Sequence, residues 1–187
     1  MRALGRVGHD RPVDAQRALA EARAALAAAA ERLAATGVAP AQLADSVPAR
    51  RSLGVIPRRA TMRRIGEGWP LGVILVSRDG GVFELRTVVR ATRQVLPGQQ
   101  AASAVERRAL RLAALDAGFA EGAVIALDAR RIPLDDVEAM RGEAGPLVLR
   151  DGRVLVRWIP DAPDDALAPL EAYLHERLEL SQGCADR

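Results

Sequence analysis

Leu71-Gly72-Val73-Ile74-Leu75-Val76-Ser77, then Arg78-Asp79-Gly80-Gly81, then Val82-Phe83-Glu84-Leu85-Arg86-Thr87-Val88-Val89-Arg90-Ala91-Thr92: an apolar run, a reversal and a second run of alternating character. The paired glycines supply the positive φ values that a tight turn requires. Beyond them Phe83, Leu85 and Val89 fall on one face and Glu84, Arg86 and Arg90 largely on the other, the period of two of a half-buried strand. Leu147–Arg150, Asp151-Gly152 and Arg153–Ile159 write a second hairpin, again around a dipeptide suited to a tight turn.

Helical periods surround these hairpins. Over residues 13–36, Ala15, Leu19, Ala22, Leu26, Ala29 and Leu33 alternate at spacings of four and three, the seam of a heptad, with Pro12 at the start and Gly37 as the stop. A Ser103-x-x-Glu106 capping box opens a helix that runs to about Ala117, with Val105, Ala109, Leu112 and Ala113 among its apolar positions. A strand at Ala123–Leu127 follows, then a short helix capped by Asp135, with Glu138 three residues on, and closed by Gly142. The last helix runs from Pro169 to about Leu180 and places Leu170, Leu174 and Leu178 on one stripe. Residues 38–52, with Pro40 and Pro48, read as a connection holding one helical turn around Ala41–Ala44, and Ser52–Ile65 as a strand pair interrupted at Pro57.

Two hairpins separated by a helix predict an α+β fold: a mostly antiparallel sheet built from both hairpins, helices packed on one face, and an N-terminal Ala/Leu-rich helix. The expected organisation is a mobile segment 1–12, a helix 13–37, a linker 38–52, one α+β domain 53–181 and a tail 182–187. The Leu19, Leu26 and Leu33 seam can dock on its own sheet or on a second copy, so a homodimer through it stays open.

The chain has no lysine, so all 27 basic residues are arginine. Schiff-base chemistry, the P-loop lysine and the Ser-x-x-Lys nucleophile are thereby excluded. Such a composition looks like that of high-GC bacteria. A pI near 10.2 overstates the basicity, because almost nothing titrates between neutrality and pH 10 and the net charge is only +3. Residues 1–64 carry 12 arginines against 5 acids, and residues 65–187 carry 15 against 19, so the chain is electrically polarised. The single cysteine, Cys184, lacks a partner for a disulfide, and the longest apolar stretch, Ala24–Ala30, is far too short to span a membrane. The N-terminal segment carries charges where a signal peptide needs its apolar run. A cytoplasmic protein that contacts no membrane is the expectation.

Candidate chemistry is sparse. Arg50, Arg51, Arg58, Arg59, Arg63 and Arg64 could neutralise nucleic-acid phosphates, but no aromatic lies among them to stack a base, and solvated strand faces account for them as well. Glu171, His175 and Glu179 stand four residues apart on one helical face, a metal-ligand or acid–base geometry that is also an ordinary wet face. Asp135 with Asp136, and Asp161 with Asp164 and Asp165, sit ahead of helices, where capping explains them. Gly66-Glu67-Gly68-Trp69 precedes a strand and matches no nucleotide fingerprint. Trp69 and Trp158 suit core or rim better than a ligand pocket. There is no Gly-x-Ser-x-Gly elbow, and Cys184 has no histidine near it in sequence. No metal and no cofactor is indicated.

Gly68-Trp69-Pro70-Leu71-Gly72-Val73 with the first hairpin, Gly118-Phe119-Ala120-Glu121-Gly122 and Pro169-Leu170-Glu171-Ala172-Tyr173-Leu174-His175-Glu176-Arg177 together resemble small proteins of high-GC bacteria, some of which carry a glutaminase label. The resemblance covers the chain from about Arg58 onward, and its motifs are not catalytic signatures. The label implies glutamine hydrolysis, which conflicts with the residues: the serine-dependent route needs the absent lysine, and the cysteine-dependent one needs a Cys–His pair. The leading expectation is therefore a non-enzymatic, self-associating interaction or ligand-binding protein. A hydrolase with Glu171, His175 and Glu179 comes second, and nucleic-acid association through the arginine cluster third.

Overall fold

In the first hairpin's turn Gly80 takes the expected positive φ and Gly81 does not. Ser77 N donates to Gly81 O at 2.8 Å and Gly80, at φ 82°, donates to Ser77 O at 3.0 Å. The Ser77 hydroxyl donates to the Asp79 carboxylate, and this bond holds the Asp79 carboxyl below its usual range. The computed structural model describes residues 12–48, 61–93, 102–142, 145–160 and 163–185. Helix α1 (Pro12–Ala35) leads into β1 (Ala41–Val47), β2 (Thr61–Leu71), β3 (Ile74–Ser77), β4 (Val82–Glu84) and β5 (Thr87–Arg90). Then come α2 (Ala102–Asp116), β6 (Val124–Leu127), β7 (Arg130–Arg131), α3 (Val137–Arg141), β8 (Leu147–Arg150), β9 (Arg153–Val156), β10 (Ala168–Pro169) and α4 (Leu170–Ala185).

The fold is α+β. Its larger sheet has seven strands in the order β5-β6-β1-β2-β3-β4-β7, antiparallel except where β1 runs parallel to β6. Its two ends are not free edges. Only two residues separate β4 from β5 and two separate β6 from β7. Phe83 lies opposite Arg131 and Glu84 opposite Arg130; past the break, Thr87 lies opposite Leu127 and Val88 opposite Ala126, with no slip of register. These four strands are therefore two chain runs in one antiparallel ladder, and the ring of pairings closes as a small barrel of five runs. Asp128, at φ 53°, sits at the break and ties it to β1, accepting from Ser46 N and Ser46 Oγ at 2.7 Å each.

Alternation sorts the side chains. Ala41, Leu43, Leu75 and Ala126 point into the barrel. Trp69, Leu71, Ile74 and Val76 point outward to α1, while Ala44, Met62, Ile125 and Leu127 point outward to the α2 side. Both helices thus lie on the outer face. A separate sheet, β10-β9-β8, closes over the other side of α1 together with α4. Its hairpin turns at Asp151 (φ 47°) and Gly152 (φ 68°), two successive positive values that glycine and aspartate tolerate. At the β2–β3 turn, Gly72 (φ 67°) leaves room for the Tyr173 hydroxyl of α4, which accepts from Val73 N at 2.9 Å and donates to Leu71 O at 2.8 Å.

Several sequence expectations are corrected. The two hairpins belong to different sheets, because α1 lies between them. The linker 38–52 contains β1, with no helical turn at Ala41–Ala44, since β2 and β6 hydrogen-bond it from both sides. The Leu19, Leu26 and Leu33 seam is buried inside the chain's own core, so a dimer through it would have to open that core. The predicted strands Leu71–Ser77 and Val82–Thr92 are each divided, by the turn at Gly72 and by the break at Leu85-Arg86. The short helix is capped by Asp136, not Asp135, through a bond from Ala139 N at 3.0 Å. The last helix continues to Ala185, into the expected tail. Residues 1–11, and Ser52–Ala60 of the expected strand pair, lie outside the described residues.

Candidate functional site

The inward side of α1 alternates large and small residues. Leu19, Leu26 and Leu33 fill the core; Ala18 and Ala22 are buried in the same cluster and Ala25 packs against it, but their short side chains leave space beside them. The result is a trough of about 260 Å³ between α1, the start of β9 and the start of α4. Ala18, Ala22, Ala25, Val154 and Leu170 contribute apolar lining, with Gly152 and Pro169 adding walls that project little. Three charged residues also line it: Glu21 on α1, Glu171 in the first turn of α4 and Arg153 at the head of β9. Glu21 is loosely paired with Arg17 at 3.8 Å. Among the described residues Glu171 and Arg153 form no ion pair. Among the described residues no Ser, Thr, Cys, His or Tyr lines the trough. It can hold an apolar body and, at the same time, charged groups of both signs.

A hollow of about 380 Å³ lies between β7, α3 and β8, bordered by Arg130, Arg131, Pro133, Met140, Pro146 and Leu147. Its Arg130 is engaged by Glu84 of β4 at 3.2 Å. The α1 trough is the better candidate because it sets charges of both signs, Glu171 and Arg153, beside its apolar lining, whereas the charged residues bordering the hollow are arginines alone.

The sequence candidates are dispersed. Glu171 reaches the trough, but His175 and Glu179 pair with each other at 3.3 Å on the exposed side of α4 and do not line it. No group of three metal-ligating side chains occurs among the described residues. Of the arginine cluster, Arg63 is bound to Asp45 at 3.1 Å and Arg64 lies 5.0 Å from the ring centre of Phe119; Arg50, Arg51, Arg58 and Arg59 lie outside the described residues. Phe119 is itself buried and offers no stacking platform. Trp69 is a core residue whose indole donates to Val38 O at 2.7 Å, and Trp158 is half exposed. Asp164 stands 3.6 Å from both Arg150 and Arg157, a bridge between the second hairpin and the approach to α4. Cys184 lies in the last turn of α4.

Sequence reasoning missed Ala18, Ala25, Arg153 and Glu21. The one signal was the alanine content of the seam, which marks where a helix face leaves space as readily as where it lets a neighbour approach. No helix among the described residues is long and apolar enough to cross a membrane. Comparison with protein-family models, curated proteins and solved structures finds no match.

Proposed function

We propose that the chain is a non-enzymatic intracellular binding protein whose α1 trough takes a small zwitterion with an apolar side chain, of the α-amino-acid class. The supporting observation is the trough's lining: Ala18, Ala22, Val154 and Leu170 for the apolar part, two carboxylates for an ammonium group and one guanidinium for a carboxylate. Its 260 Å³ falls below the range of roughly 300–1,000 Å³ typical of drug-sized pockets, which favours a ligand of metabolite size.

Native mass spectrometry of gently purified protein and thermal melting against a panel of amino acids and simple amines test this reading. One apolar amino acid at a hundredfold excess over its Kd should raise Tm by about 5 °C or more, and Glu171→Gln or Arg153→Gln should weaken it at least tenfold. No retained mass together with no shift for any panel member refutes it, as does an affinity that both variants leave intact. Glutamine belongs in the panel, and ammonia released above the buffer blank would replace binding with the hydrolase reading.

A further inference from the structure

Helix α2 presents a second surface, independent of the trough. Its inward side, Leu110, Ala113, Ala114 and Ala117 at the turn that follows, packs on the cluster formed by Ala44, Met62, Phe119 and Ile125. About a third of a turn away, Val105, Ala109 and Leu112 form a straight stripe at spacings of four and three. Val105 is 61% exposed and Leu112 39%. Arg108 and Arg111 flank this stripe on one side, and neither has an ion pair among the described residues. Of the acids of the helix, Glu106 lies on the flank opposite the arginines, and Asp116 is the last residue, at the end of the stripe.

We propose that this stripe docks an acidic amphipathic helix of another protein. A straight apolar line of about 10 Å matches two turns of a partner helix laid along it. The unpaired arginines on one flank choose the sign of the partner's charge. A second copy of this chain fits less well: in a two-fold antiparallel pair the same flank of each helix falls on the same side, which would bring Arg108 and Arg111 of both copies together.

The test uses the full chain and a fluorescein-labelled amphipathic peptide of about 18 residues, leucine on one helical stripe and glutamate elsewhere, read by fluorescence anisotropy. Saturable binding should weaken at least tenfold in Leu112→Ser and in the Arg108→Glu/Arg111→Glu double variant, and should weaken with salt between about 50 and 300 mM. Absence of binding overturns the proposal, as does equal binding of the peptide with lysine in place of glutamate, or displacement by duplex DNA that Arg108→Glu/Arg111→Glu abolishes and Leu112→Ser does not. Light scattering that shows a dimer dissolved by Leu112→Ser would make the second copy the occupant and overturn it too. A fall in Tm of several degrees in Leu112→Ser would do the same, by showing that the chain covers the stripe itself.

Discussion

Helices α1 and α2 lie on the same outer face of the barrel and draw on the same residues, alanine, leucine and arginine, yet their burial differs sharply. Helix α1 buries eight side chains, while on α2 only Ala114 is buried among the described residues. The cause is enclosure. The barrel wall stands on one side of α1, and the β8–β9–β10 sheet with α4 on the other, so one core runs through Leu26, Trp69, Val156 and Tyr173. Helix α2 meets the barrel alone, through β2 and β5. An apolar period thus states that a face is to be covered and leaves open what covers it.

Matched substitutions on the two helices expose this difference most strongly. Leu26→Arg places an unpartnered charge where the leucine is 1% exposed, and should cost more than about 4 kcal/mol, enough to leave little folded protein on chemical denaturation. Leu112→Arg on α2 should move stability by no more than about 0.5 kcal/mol. Equal losses from the two would show that α2 is enclosed after all. A step smaller is Gly72→Ala, where the new methyl would fall on the Tyr173 hydroxyl at a backbone angle alanine resists; about 2–4 kcal/mol is expected. Tyr173→Phe removes the hydroxyl and strands Val73 N and Leu71 O, for about 1–3 kcal/mol. If urea unfolding finds Gly72→Ala milder than Tyr173→Phe, the α4 clamp on the β2–β3 turn is softer than its geometry implies.

The same contrast explains what was legible in the sequence. Helix α1 was legible because its Ala/Leu spacing met a core that covers it, and the second hairpin because Asp151-Gly152 admits one common reversal. Strand β1 was not: Ala41, Gln42, Leu43 and Ala44 are good helix formers between two prolines, and only hydrogen bonding from β2 and β6 on both sides makes them a strand. Barrel closure was invisible because it depends on β1 meeting β6 across about 80 residues. The trough escaped for a related reason. Ala22 read as a seam position and Ala18 was not singled out at all, while two of the side chains that wall the trough beside them, Arg153 and Glu171, lie more than a hundred residues away. Glu171 alone was singled out, for a partnership with His175 that the trough does not use.

Acid titration separates the two regions through weaker interactions. Each region holds one carboxyl below its ordinary range: Asp79 beside the α1 core, chiefly through the Ser77 hydroxyl, and Glu121 on the α2 side, chiefly through the Arg93 N–H at 2.9 Å and then through Thr92. A folded-state pKa below the unfolded one means that the unfolded chain takes up the proton more readily. The stabilisation is then fully present above the ordinary carboxylate range and is lost as pH falls through the lowered folded values, below about pH 4. Asp79→Asn should therefore lower stability near neutrality by less than about 1 kcal/mol and flatten the loss that the parent chain shows below about pH 4. Glu121 is fully solvated and joins two loops outside the enclosed core, so Glu121→Gln should leave the denaturation curve in place and speed only the exchange of the Arg93 amide. Should Glu121→Gln alter the acid limb as much as Asp79→Asn does, the α2 side would be coupled to global unfolding as tightly as the α1 core, and the division between an enclosed and an open helix would fail.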